Sequence, residues 1–112
     1  MLSKNIHAAW VVNIKSGYSH KHQERFYTIE MVDDASGNYV KTYIGEFNRN
    51  IVLWEPIIET WDDTTAICIT GKFKTKKGKE GDCLINADCV PKAVERMSRD
   101  DFLNAYYEHY YA

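Results

Sequence analysis

Ile6, Ala8, Trp10, Val12 and Ile14 alternate with mixed residues over residues 6–15, the period of a strand with one buried face. The run passes into Ser16-Gly17-Tyr18-Ser19-His20-Lys21-His22-Gln23, a polar stretch with a glycine that predicts a loop. Residues 25–33 alternate again, with Tyr27, Ile29 and Met31 on one side and Phe26, Thr28 and Glu30 on the other. Asp34-Ala35-Ser36-Gly37-Asn38 reads as a turn, and its glycine is free to take a positive φ. Residues 39–47 form a third strand with Val40, Thr42 and Ile44 opposite Tyr39, Lys41 and Tyr43, so strands two and three make a hairpin.

The period then changes. Ile51, Leu53, Trp54, Ile57, Ile58 and Trp61 follow helical spacing, with Asn48 or Asn50 as N-cap. Pro56 opposes a long helix, because proline in a helix interior costs about 3 kcal/mol. Either the helix starts near Glu55, or it is short and kinked; a short helix plugging an apolar opening fits the pattern. Thr65, Ile67, Ile69, Gly71 and Phe73 mark a fourth strand over residues 64–73, followed by a charged loop, 74–81, with two glycines. Residues 82–88 predict a fifth strand with Cys83, Ile85 and Ala87 on one side, closed by Pro91. Ser98 as N-cap, with Asp100 and Asp101 in the first turn, opens a terminal helix. Phe102, Leu103, Tyr106, His109 and Tyr110 give that helix an aromatic stripe.

This order predicts a mostly β protein: a five-stranded OB-fold barrel with a helix between strands 3 and 4 and a C-terminal helix. Residues 1–97 would form the barrel domain. Residues 98–112 would pack on it or lie at an oligomer interface. The layout resembles small single-stranded-DNA-binding OB proteins, including those of bacteriophages. The resemblance rests on Trp10-Val11-Val12-Asn13-Ile14 running into Ser16-Gly17, on the hairpin of residues 26–47, and on Ile69-Thr70-Gly71-Lys72-Phe73-Lys74 before a glycine-bearing basic loop. It implies binding of an unpaired strand during replication or recombination, with proteins of those processes as further partners. Bacterial members of that group usually end in an acidic tail with a terminal phenylalanine. This chain instead ends Tyr106-Tyr107-Glu108-His109-Tyr110-Tyr111-Ala112, which points to a helix that packs or pairs with another copy in a homo-oligomer.

OB-folds bind ligands across strands two and three, between the loop joining strands one and two and the loop joining strands four and five. The first loop region brings Lys15, Lys21 and Arg25, with His20 and His22 adding charge at lower pH. The second brings Lys72, Lys74, Lys76, Lys77 and Lys79, with no acid between them. Lysines neutralise phosphates without regard to sequence. Phe26, Tyr39 and Tyr43 would share the outer face with Thr28 and Lys41, and Tyr18 in the first loop could close over a base. Stacking on such rings is worth about 1–3 kcal/mol per base and tolerates every base. A register error of one residue would exchange Phe26 for Tyr27, and some rings could instead pack under the terminal helix. Trp10, Trp54 and Trp61 read as core or helix-packing residues.

The net charge of −2 over 112 residues is not that of a uniformly basic binder. The acids Asp33, Asp34, Glu55, Glu59, Asp62, Asp63, Asp100 and Asp101 fall mostly at the hairpin turn and helix ends, which would leave the basic loops segregated. Ordinary globular composition, no apolar run long enough to span a bilayer and no apolar signal core behind Met1 imply a soluble cytoplasmic protein without a membrane partner. Cys68, Cys83 and Cys89 lack the close pairing of a zinc site and read as free core thiols. His20 and His22 could share a face as metal ligands, but no third ligand follows, so no metal or cofactor is expected. No nucleophile elbow, zinc-protease motif or phosphate-cradling loop is present, so no enzyme and no catalytic residue is expected. Two alternatives stay open: an OB module that binds protein without nucleic acid, such as a phage-encoded inhibitor or assembly subunit, and RNA binding by the same surface.

Overall fold

The computed structural model describes residues 5–77, 83–85 and 91–111. It is mostly β, with six strands and two helices in the order β1 (Asn5–Ser19), β2 (Glu24–Asp33), β3 (Tyr39–Gly45), α1 (Ile51–Thr60), β4 (Thr65–Lys77), β5 (Cys83–Ile85), β6 (Lys92–Ser98) and α2 (Arg99–Tyr111). β1 pairs antiparallel with both β2 and β4, and β2 with β3. β4 pairs antiparallel with β5 and β6, whereas β3 runs parallel to β5.

The hairpin of β2 and β3 follows its hydrophobic alternation. Ile29, Met31, Val40 and Ile44 lie in the main core, and Thr42 is buried with them. The Asp33 carboxylate organises the connecting turn, accepting from the Ala35 N–H at 3.2 Å and from Ser36 Oγ at 2.6 Å. Gly37 takes φ 75°, a left-handed conformation that glycine adopts without steric cost.

β1 departs from the expected pattern in two ways. It runs on to Ser19, so Ser16–Ser19 are strand rather than loop, and only residues 20–23 form the tip. Its core face is not that of Ala8, Trp10 and Val12. Ala9, Val11 and Ile14 join the main core, while Trp10 and Val12 join a second cluster with Val32, Ala66, Cys68 and Phe102. The physical reason is twofold. α2 covers the outer side of β1, so both faces are apolar, and the register with β2 slips at Val12, which reverses the alternation beyond it.

α1 spans Pro56 instead of starting at it. Val52 and Pro56 are both exposed, so the turn of the helix that loses a backbone bond to the proline lies on its solvent side. Ile51, Trp54 and Ile57 point into the main core, and the Trp54 and Phe73 rings lie 6.4 Å apart there. β4 extends four residues past Phe73, so Lys74–Lys77 are strand, not loop. β5 is three residues long; the remainder of the expected 82–88 strand lies outside the described residues.

β6 is not anticipated by the sequence pattern. Lys92 to Arg96 are all exposed and Met97 packs against the second cluster, so most of the strand is held by its ladder to β4. α2 then starts on the expected cap, with the Asp101 N–H donating to Ser98 Oγ at 3.1 Å. Phe102 is buried against Trp10, ring centroids 5.3 Å apart, and the Trp10 indole N–H donates to Asp34 Oδ1 at 2.9 Å. Among the described residues no helix is long and apolar enough to cross a membrane.

Candidate nucleic-acid interface

The ladders β1–β2 and β2–β3 set side chains of three strands in rows on the outer face. Gly17, Phe26 and Gly45 form one row, and Lys15, Thr28 and Tyr43 the next. Asn13, Glu30 and Lys41 form the third, and Trp10, Val32 and Tyr39 the fourth, where Trp10 and Val32 are buried with Phe102 of α2. At strand spacing the three-strand face is about 10 Å wide, and β3 runs along it for roughly 20 Å. Tyr39 and Tyr43 are 43% and 49% exposed, while their neighbours Val40, Thr42 and Ile44 are buried. The Lys41 ammonium sits 5.5 Å from the centroid of the Tyr39 ring.

Phe26 is half-buried because its ring lies against Gly17; a Cβ there would be 2.8 Å from Phe26 Cζ. One edge of this ring is thus committed to the sheet. Tyr18 is 55% exposed but belongs to β1, paired with Arg25 and one residue out of step with Gly17. It therefore lies on the face opposite Phe26, not in a loop above it, and its ring meets His20 edge-on at 5.1 Å. Lys21 and Arg25 are exposed at the hairpin tip and its root.

At the far end, only the backbone positions of Lys72, Lys74, Lys76 and Lys77 are described, and all are on β4. Lys79 lies outside the described residues. The ladders put Lys76 level with Leu84 on β5, and Leu84 level with Lys41 on β3. Lys77 is level with Cys83, and Cys83 with Val40, next to Tyr39. The basic end of β4 is thus two strands, about 10 Å, from the Tyr39 end of β3, while the β1–β2 tip lies beyond the Gly45 end.

The acids are not segregated from this face as the sequence pattern suggests. Glu30 sits in its middle row, with Lys15 Nζ 3.0 Å from Oε1 and Asn13 Nδ2 donating to Oε2 at 3.3 Å. The Tyr39 hydroxyl is a third donor to it. Burial pushes this carboxyl up, but the bonds from Tyr39, Lys15 and Asn13 and the Lys15 charge outweigh it and hold the group below its ordinary value. Glu24 and Glu46 crowd the other end, each accepting a backbone N–H, from Phe47 and Arg25 respectively.

Phe47 and Arg49, not among the residues expected from the sequence to form the site, are both exposed in the turn after β3. The signal available was an aromatic and a cation in a polar stretch beside the hairpin root. Burial pushes the Cys68 thiol up to about 11, with the charges of Asp34 and Glu95 adding to it, so it is not a nucleophile at neutral pH. Among the described residues no group of three metal-ligating side chains converges.

No protein-family profile matches the chain, and neither a curated protein nor a solved structure matches it.

Proposed function

We propose that this protein binds single-stranded DNA without sequence preference, on the outer face of β1, β2 and β3, in replication or recombination. The observation that carries the proposal is the pair of half-exposed rings, Tyr39 and Tyr43, with Lys41 between them on one strand face and Lys15 beside them. Rings stack on bases of any sequence, and lysines take phosphates. We propose with it that the fold is an OB-type barrel. Its support is the succession of pairings β1–β2–β3–β5–β4 with β4 also paired to β1, and a helix between β3 and β4 under the main core.

Titration of a labelled oligothymidylate followed by anisotropy, at two salt concentrations, tests the function. Saturable binding that weakens steeply with salt is the expected result, with duplex DNA of the same length bound less tightly. Equal binding of single-stranded RNA would move the reading to unpaired nucleic acid in general. Absence of binding to either would leave the exposed rings to a protein partner.

A further inference from the structure

Phe47 is 74% exposed, the most of any large apolar side chain described. It is not on a loose segment. The Glu46 N–H donates to the Arg25 carbonyl at 2.8 Å, and the Glu46 carboxylate accepts the Arg25 N–H at 3.2 Å. The Phe47 N–H donates to Glu24 Oε2 at 3.3 Å, and the Asn48 N–H to the Gly45 carbonyl at 3.0 Å. Glu24 reaches this position because Gly45 has no Cβ; one there would meet Glu24 Oε1 at 2.6 Å. The chain therefore fixes the backbone on both sides of Phe47 while leaving its ring in water.

The surroundings are those of the face described above. Tyr43 stands two residues before Gly45 on the outer side of β3, and Phe26 lies across from Gly45 on β2. Arg25 and Arg49 are exposed beside the turn, and the two acids, Glu24 and Glu46, are engaged by backbone donors. Resting on the nucleic-acid reading, we infer that Phe47 is a further base-stacking residue, and that the single-strand site runs past the end of β3 onto the turn before α1, with Arg49 as its phosphate contact. Tyr39, Tyr43 and Phe47 then form three stations spaced four residues apart along the chain.

The test uses the full chain with Phe47→Ala, Phe47→Trp and, for comparison, Tyr39→Ala, each titrated with labelled oligothymidylate at several salt concentrations. Phe47→Ala weakens binding about five- to 150-fold, the equivalent of about 1–3 kcal/mol for one stacked base, with an unchanged salt slope because no charge is removed. Phe47→Trp retains affinity, and its added indole emission is quenched by the oligonucleotide. Thermal unfolding of both variants matches the wild type, since the ring is not packed. Unchanged affinity in Phe47→Ala alongside weakened binding in Tyr39→Ala overturns the inference and leaves the nucleic-acid reading standing. Failure of the wild-type protein to bind overturns both.

Discussion

Lys15 Nζ lies 3.0 Å from Glu30 Oε1, so a cation on the outer face is held by an acid that the same face supplies. Lys15 is 65% exposed and Glu30 only 13%, which makes the carboxylate a fixed feature and the ammonium the movable partner. With Asn13 and Tyr39 also bonded to it, Glu30 fixes polar groups from the two strands flanking its own and places negative charge where a phosphate would be least welcome. A bound strand would keep its bases over this row and its phosphates toward the margins.

Glu30→Gln keeps an acceptor for Tyr39 and removes the charge. Affinity for single-stranded DNA is expected to rise about fivefold, the effect of ~1 kcal/mol from removing one charge near the phosphates. The released Lys15 should steepen the slope of log affinity against log salt by about 1. Titrations at four or more salt concentrations read both quantities.

Gly17→Val places a side chain where the Phe26 ring now lies, 2.8 Å from its Cζ. Overpacking of this kind is expected to cost about 1–3 kcal/mol of stability and to turn the ring away from the sheet, weakening binding. Denaturant unfolding gives the first effect and anisotropy the second. Gly37→Ala, strained at φ 75° in the turn after β2, should lower stability by about 1 kcal/mol while leaving affinity unchanged.

Glu30 and Asp62 both have carboxyls held below their ordinary values. For Asp62 the causes are the side-chain and backbone hydrogen bonds of Thr64 and the Thr65 hydroxyl, which together fix the entry to β4. A depressed folded-state value means that each group contributes stability above its unfolded-state value and loses it as pH falls through the folded one. Thermal unfolding temperature should therefore fall as the pH is lowered below about 4.5, the unperturbed value for Glu30. The decline should be shallower in a Glu30→Gln, Asp62→Asn double variant, and parallel curves for the two proteins would show that these carboxyls do not control it.

Phe102 ties α2 to the sheet through Trp10. Phe102→Ala should cost about 3–5 kcal/mol, the usual loss for a buried aromatic. Trp10 would become exposed, and a red shift of tryptophan emission in the native state reports it.

The hairpin of β2 and β3 was legible from the chain because one of its faces is buried and the other wet, so a period of two survives. β1 was less so. Burial on both sides and the slip at Val12 erase the alternation that would have separated Ala9 and Val11 from Trp10 and Val12. β6 leaves no trace because Lys92 to Arg96 are all exposed, and these residues join the sheet through the backbone ladder to β4. On the candidate face, Tyr39, Lys41 and Tyr43 could be read from one strand. The hold of Glu30 on Lys15, Asn13 and Tyr39 could not, since it depends on the register of three strands at once. The displacement of Tyr18 to the opposite face follows from four extra strand residues before the tip, a boundary that polar residues around Gly17 conceal.

The proposed function requires an unpaired strand to lie across the outer face of β1, β2 and β3. Backbone amide shift mapping of the labelled protein, titrated with a short oligothymidylate, tests it directly. The expected changes concentrate at residues 13–17, 26–30 and 39–47, together with the basic end of β4. Changes confined to α2 and β6, or none at saturating oligonucleotide, would contradict it.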